Sequence, residues 1–292
     1  MNWIIAIAIS IVAGSSAGLL QRVLMRGKVS GSYSYTAVTQ LLSAFVVLGF
    51  AIILGRTSFP SIEVILSNRL YIFIIFSAIL YALNGAFVFK ALQSVEISKF
   101  TILYTLRAVV TIIVATIFLN EGLTLIQLIG AGCILFAVIY VNSKSLKDLF
   151  IFNRGEIYAL MAALSFGTAT VSDKYLIAWF DYVPYLFIDF LLPALILFAV
   201  RPKVVSEVGT LIKQKLASKL ILFSALYAIA ALSFFGALSM ANNASLVSSV
   251  GQSGTILTVI LGIVLLKERD QLGKKLLAGA ISFIGLVLLI FN

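Results

Sequence analysis

The sequence predicts an all-α integral membrane protein of ten transmembrane helices, arranged as two inverted five-helix repeats. Three observations carry that expectation. The 292 residues are 62% apolar and only 11% charged, against roughly half and about a quarter in soluble domains. The apolar residues gather into runs of about the 20 residues that a spanning helix needs. Finally, one stretch is used twice: Phe89 to Val141 aligns with Phe235 to Ile290 when the second copy is allowed one inserted residue. Phe89 then meets Phe235, Ala91-Leu92 meets Ala237-Leu238 and Thr111 meets Thr258. Leu119 meets Leu266, Glu121 meets Glu268 and Ala131-Gly132 meets Ala278-Gly279. That many matches in one register mark a duplication.

The first repeat, residues 1–142, holds spans at Trp3–Leu24, Tyr35–Leu54, Leu70–Leu92, Ile97–Leu119 and Leu123–Asn142. The first of these has no charged leader and is long enough to span, so it reads as a helix and not as a cleavable signal. Residues 143–154 form a polar linker with basic punctuation. The second repeat, residues 155–292, holds spans at Ile157–Ala178, Val183–Val200, Leu220–Met240, Ser245–Leu266 and Leu272–Phe291. An odd number of spans per repeat makes the second copy enter the membrane from the opposite side, an arrangement many carriers use. Glycines such as Gly14, Gly18, Gly130, Gly132, Gly251 and Gly254 lie within spans. Lipid gives no hydrophobic drive between helices, so small residues are expected to let them pack closely.

Charge fixes the expected orientation. Of the 21 Lys and Arg, all but Arg56, Arg69, Lys174 and the mid-span Arg107 lie in the gaps after spans 1, 3, 5, 7 and 9. The positive side stays cytoplasmic. Both termini are therefore expected on the non-cytoplasmic side of a multi-pass protein of the cell (plasma or inner) membrane. The same distribution explains the net charge of +10 as topology, with no nucleic-acid partner implied.

The repeat carries a further signature. Each copy has a Phe-x-Ala-Leu entry, Phe89-Lys90-Ala91-Leu92 and Phe235-Gly236-Ala237-Leu238, followed by an apolar helix ending in Leu-x-Glu, Leu119-Asn120-Glu121 and Leu266-Lys267-Glu268. With the length, the ten spans and the duplication, the whole chain resembles the EamA family of the drug/metabolite transporter superfamily. The resemblance implies a secondary carrier, often an exporter, that moves a small polar or amphipathic metabolite by alternating access. It implies a scaffold role for the two Glu at a helix end. The charge cluster Lys267-Glu268-Arg269-Asp270 departs from the first copy and is expected to pair with itself as a loop, a gating contact being the lesser reading.

Within the spans, ionisable groups are costly and mark candidate sites. Arg107 sits about nine residues into span 4, near the midplane, on a face shared with Thr101, Tyr104 and Thr105. Its fork of donors suits a carboxylate or phosphate. Asp189 in span 7 precedes Pro193 by four residues, so the proline is expected to kink the helix and free the Asp189 carbonyl. Asp189 is expected to take a coupling proton, to pair with an ammonium group, or simply to neutralise Arg107. Tyr81 and Tyr227 are equivalent by the repeat and are placed on opposite sides of one cavity, with Asn84 beside Tyr81. Gln252 with Ser253 lies at the level of Arg107, which sets spans 4 and 9 face to face, and Gln40 is a further candidate. Asp173-Lys174 read as helix-end charges that reach outward, and Glu96 and Lys99 as a local pair.

Several chemistries are missing. There is no histidine, which removes the commonest proton shuttle near neutral pH and the commonest transition-metal ligand. The single Cys133 allows no internal disulfide. No phosphate-binding Gly-rich loop, catalytic carboxylate pair or metal-ligand cluster occurs, and the loops are too short for a soluble catalytic domain. No enzyme activity, metal or cofactor is expected. The expected partners are a small metabolite and the bilayer, with a coupling proton as an option and a monomer as the default, a dimer remaining open. The alternative is a membrane enzyme or lipid-handling protein working at the interface through the Arg201 to Lys219 loop; a non-transporting subunit fits the mid-span charges less well.

Overall fold

In hydrocarbon every backbone N–H and C=O needs a partner within its own segment, so long apolar runs become helices. The computed structural model describes residues 3–25, 31–119, 124–142, 152–213, 216–240, 244–268 and 270–290. Some helical side chains, those of Lys174 and Gln252 among them, lie outside that description. The first half comprises α1 (Trp3–Met25), α2 (Ser32–Ile53), α3 (Ile62–Ser67), α4 (Leu70–Ser94), α5 (Ile97–Tyr104), α6 (Leu106–Leu119) and α7 (Leu125–Asn142). The second comprises α8 (Arg154–Leu176), α9 (Tyr182–Val200), α10 (Lys203–Lys213), α11 (Ala217–Met240), α12 (Ala244–Leu265) and α13 (Leu272–Ile290). No strand occurs among the described residues.

Each expected span contains helix, with ends shifted by a few residues. Among the described residues, seven segments are long and apolar enough to cross a membrane: α1, α2, α4, α5 with α6, α9, α11 and α13. Two further apolar stretches are shorter, Leu125–Val141 in α7 and Gly254–Leu265 in α12. The remaining long helix, α8, carries Arg154, Glu156, Asp173 and Lys174 along with its Ser and Thr residues. Its start is fixed by Asn153, whose Oδ1 accepts from the Glu156 amide while Glu156 Oε2 accepts from the Asn153 amide. That reciprocal pair satisfies two otherwise orphaned donors at the helix end.

The most extensive helix contacts all join one half to the other. They are α4 against α8, α1 against α11, α7 against α13 and α2 against α9. Exchanging the halves turns the first pairing into the second and leaves the other two unchanged, so the packing follows the duplication. Small residues make the closest crossings. A Cβ built on Gly130 in α7 would lie 2.8 Å from the Gly285 carbonyl oxygen in α13, and one on Gly285 would lie 2.7 Å from that of Gly130. Gly132, one residue pair further along α7, faces open space.

Three local expectations are corrected. The interrupted helix is span 4, which breaks at Thr105 between α5 and α6, whereas α9 runs continuously through Pro193. Glu96 and Lys99 do not pair with each other: Lys275 takes Glu96, and Lys99 Nζ lies 2.5 Å from Glu156. Glu268 does not close a self-paired loop but reaches α5 in the other half. The short helices α3 and α10, too short and polar to register as spans, were not anticipated. Glu121 lies outside the described residues.

Candidate solute-binding site

The site is built around the break in span 4. Thr105 Oγ1 donates to the Ile102 carbonyl at 2.6 Å and accepts from Ser282 Oγ at 2.8 Å, tying the bend to α13. The break puts Arg107 in the first turn of α6. Gly167 of α8 lies directly against it, since a Cβ there would sit 2.5 Å from the Arg107 carbonyl oxygen. Thr111 Oγ1 donates to both Arg107 O (2.9 Å) and Gly167 O (3.0 Å), closing the contact. The half-buried Arg107 guanidinium stands over two rings, 4.6 Å from the Tyr104 centroid and 4.7 Å from that of Phe166. Ring faces attract a cation by their quadrupole. Asn84 Nδ2 holds Tyr104 by donating to its hydroxyl at 2.9 Å, and also donates to the Ala162 carbonyl at 2.9 Å.

An acidic pole faces this cation along the same helices. Asp173 of α8 is buried and accepts hydrogen bonds from the Tyr81 hydroxyl of α4 and, at 2.5 Å, from the Tyr185 hydroxyl of α9. One turn beyond Tyr185, Asp189 has a buried Oδ1 with no hydrogen-bond partner among the described residues. An aromatic chain connects the poles. The Tyr81 ring stands edge-on to Phe166 at 5.6 Å, and Phe166 stands edge-on to Tyr104 at 5.8 Å. Tyr227 of α11 enters from the other half, packed on Phe190 (5.5 Å) and Phe223 (5.7 Å). It lies within the electrostatic reach of both Arg107 and Asp189. Gln40 of α2 is buried, and its Oε1 has no partner among the described residues.

These features fit the comparisons with known proteins. The sequence profile of the EamA-like transporter family matches residues 1–143 and 153–291. The chain belongs to the EamA-like transporter family. Its members are membrane transporters of the drug/metabolite type and not enzymes. Twenty-two solved chains also match. One, titled only as a crystal structure of a protein, superposes with a TM-score of 0.58 over 96% of this chain and 95% of its own, at 14% identity. At that identity the likeness shows the fold alone. No curated protein matches the chain.

Within this EamA-like chain the structure gathers Arg107, Tyr81, Asn84, Asp189 and Tyr227 around α4, α6, α8, α9 and α11. The Gln252 side chain lies outside the described residues, although α12 does pack on α5, as the facing of spans 4 and 9 requires. Among the described residues no carboxylate, that of Asp189 included, forms an ion pair with Arg107. Asp173 is corrected outright. It is not an outward-reaching helix-end charge but a buried acceptor for two tyrosines. Phe166 and Tyr185 were missed with it. The available signal was the stripe Ala162, Phe166, Ala169, Asp173, whose spacing of four, three and four keeps Asp173 on the buried face of α8.

Proposed function

We propose that this EamA-like chain is a secondary carrier that moves a small polar metabolite by alternating access. Ten spans enclose the site, and the two halves sit in opposite orientations with both termini on the non-cytoplasmic side of the cell membrane. The solute presents an anionic group to Arg107 and a positively charged or hydrogen-bond-donating group to Asp189. Tyr81, Asn84, Tyr227 and Gln252 contribute shape and hydrogen bonds. Export is the favoured direction, and protonation of Asp189 is the coupling step to examine first.

One observation carries the reading. Arg107 stands in the corner formed by two adjoining aromatic rings in the middle of a membrane protein, with no acidic side chain paired to it among the described residues. A charge withdrawn from water without a counter-charge costs several kcal/mol, and an anionic ligand removes that cost. The test compares metabolites inside and outside cells overproducing the chain or its Arg107→Ala variant at matched membrane levels. The expected outcome is at least one anionic or zwitterionic metabolite redistributed by the parent and not by the variant. Identical profiles would remove Arg107 from the site.

A further inference from the structure

Glu268, at the end of the second repeat's signature, spends its carboxylate on the first repeat. Its Oε1 accepts from the Ile97 amide at 3.0 Å, and its Oε2 accepts from the Ser98 amide at 3.0 Å and from Ser98 Oγ at 2.7 Å. These are the first amides of α5, which have no carbonyl partner within their own helix. A carboxylate there also meets the positive end of the helix dipole. Arg22 at the end of α1 approaches the same carboxylate, its Nε 3.6 Å from Oε1, and donates through Nη1 to the Leu92 carbonyl at the end of α4. Lys275 of α13 donates to the Glu268 carbonyl at 3.3 Å and pairs with Glu96 just before α5. The loop bearing Glu268 is shaped for this contact at a cost, since Lys267 and Gln271 on either side hold φ of 56° and 49°, a region that L side chains avoid. Beneath the carboxylate, Ile97 is wedged shut: a Cβ on Gly262 of α12 would lie 2.9 Å from its Cγ2, and one on Gly18 of α1 would lie 3.3 Å from its Cδ1.

All these groups stand at one end of the bundle, the end that charge assigns to the cytoplasm. The opposite end is joined by a looser pair. Arg56 and Asp181 meet at 2.9 Å with side chains 42% and 27% exposed, against 11% and 5% for Arg22 and Glu268. We propose that the Glu268 carboxylate is a latch between the repeats: seated on the α5 amides and flanked by Arg22, it keeps the cytoplasmic end closed, and the pathway opens to that side only when it leaves them. The proposal rests on the alternating-access reading, yet its test needs no solute.

The chain with Cys133→Ala and a reporter, Thr101→Cys, one turn before Tyr104, is labelled with a membrane-impermeant maleimide in right-side-out and inverted vesicles. Adding Glu268→Gln keeps the shape and removes the charge. The expected result is labelling at least tenfold faster from the cytoplasmic face and slower from the other. Arg56→Gln, which breaks the opposite pair, is expected not to raise cytoplasmic labelling. Labelling unchanged by Glu268→Gln, or raised equally from both faces, overturns the latch. If Glu268→Gln fails to reach the membrane, Ser98→Ala, which removes one of the three donors, is read for the same one-sided shift, and its absence overturns the proposal. Loss of the Arg107-dependent metabolite change would instead count against the carrier reading alone.

Discussion

Arg107 was visible in the sequence because a guanidinium has no ordinary reason to sit ten residues past Ile97, inside an apolar run. What surrounds it was less visible. Tyr104 lies one turn away on the same face, but Phe166 comes from the next half of the chain, and its place in the buried stripe of α8 does not say that its ring meets a cation. Asp173 was hidden for a related reason. Its position three residues before the end of α8 suits a charge that reaches water, and only the arrival of Tyr81 and Tyr185 from α4 and α9 makes it a buried acceptor. The ring corner gives a prediction of its own. Phe166→Leu keeps the volume approximately and removes one ring face, worth roughly 0.5–2 kcal/mol to a cation. With 1.4 kcal/mol corresponding to a factor of about ten, the apparent affinity for the transported metabolite should fall by roughly twofold to thirtyfold with membrane levels unchanged. An unchanged apparent affinity would mean that the ring merely fills space.

At the scale of elements, the spans were legible because hydrocarbon forces the helix on any run long and apolar enough. The break in one of them was not. Pro193 is the residue that should interrupt a helix, and α9 passes through it, while span 4 breaks at Thr105 with neither Gly nor Pro to announce it. The cause is tertiary. Ser282 of α13 holds the Thr105 hydroxyl, and α8 presses Gly167 on the turn that follows. The glycines sort in the same way. Gly130 and Gly132 look alike in the sequence, yet only Gly130 meets another backbone. In Gly130→Ala the new methyl overlaps the Gly285 carbonyl, and two helix backbones cannot yield as a side chain can. Overpacking of this kind costs about 1–3 kcal/mol, so the purified protein should unfold several degrees lower in detergent. Gly132→Ala adds a methyl in open space and gains helix propensity, and should be neutral or up to about 1 kcal/mol more stable. Equal destabilisation by both would contradict the crossing described for α7 and α13.

For the molecule as a whole, the duplication told how the chain is divided but not how the divisions hold together. The Glu of the repeated signature reads in sequence as the end of its own helix. Its contacts lie 170 residues away in the numbering, on Ser98, and no window along the chain encloses both. Every one of the largest helix pairings also crosses between the halves. A single repeat therefore lacks the partner for α1, α2, α4 and α7 alike, and the faces it leaves bare include Asn84, Tyr81 and the closely packed Gly130. Bare polar groups in lipid cost several kcal/mol each when unsatisfied. Residues 1–142 made alone should consequently be degraded, to roughly a tenth or less of the level of the intact chain, as expected where stability falls by more than about 1–2 kcal/mol. Residues 155–292 made alone should behave likewise. Made together as two separate chains, the halves should rescue each other, because the largest pairings join helices of one half to helices of the other. Membrane levels read by immunoblot, followed by co-purification through a tag on one half, decide the matter. A half that accumulates alone as a protease-resistant monomer would show that each repeat folds independently, and the pairing across the two halves would then be assembly and not folding.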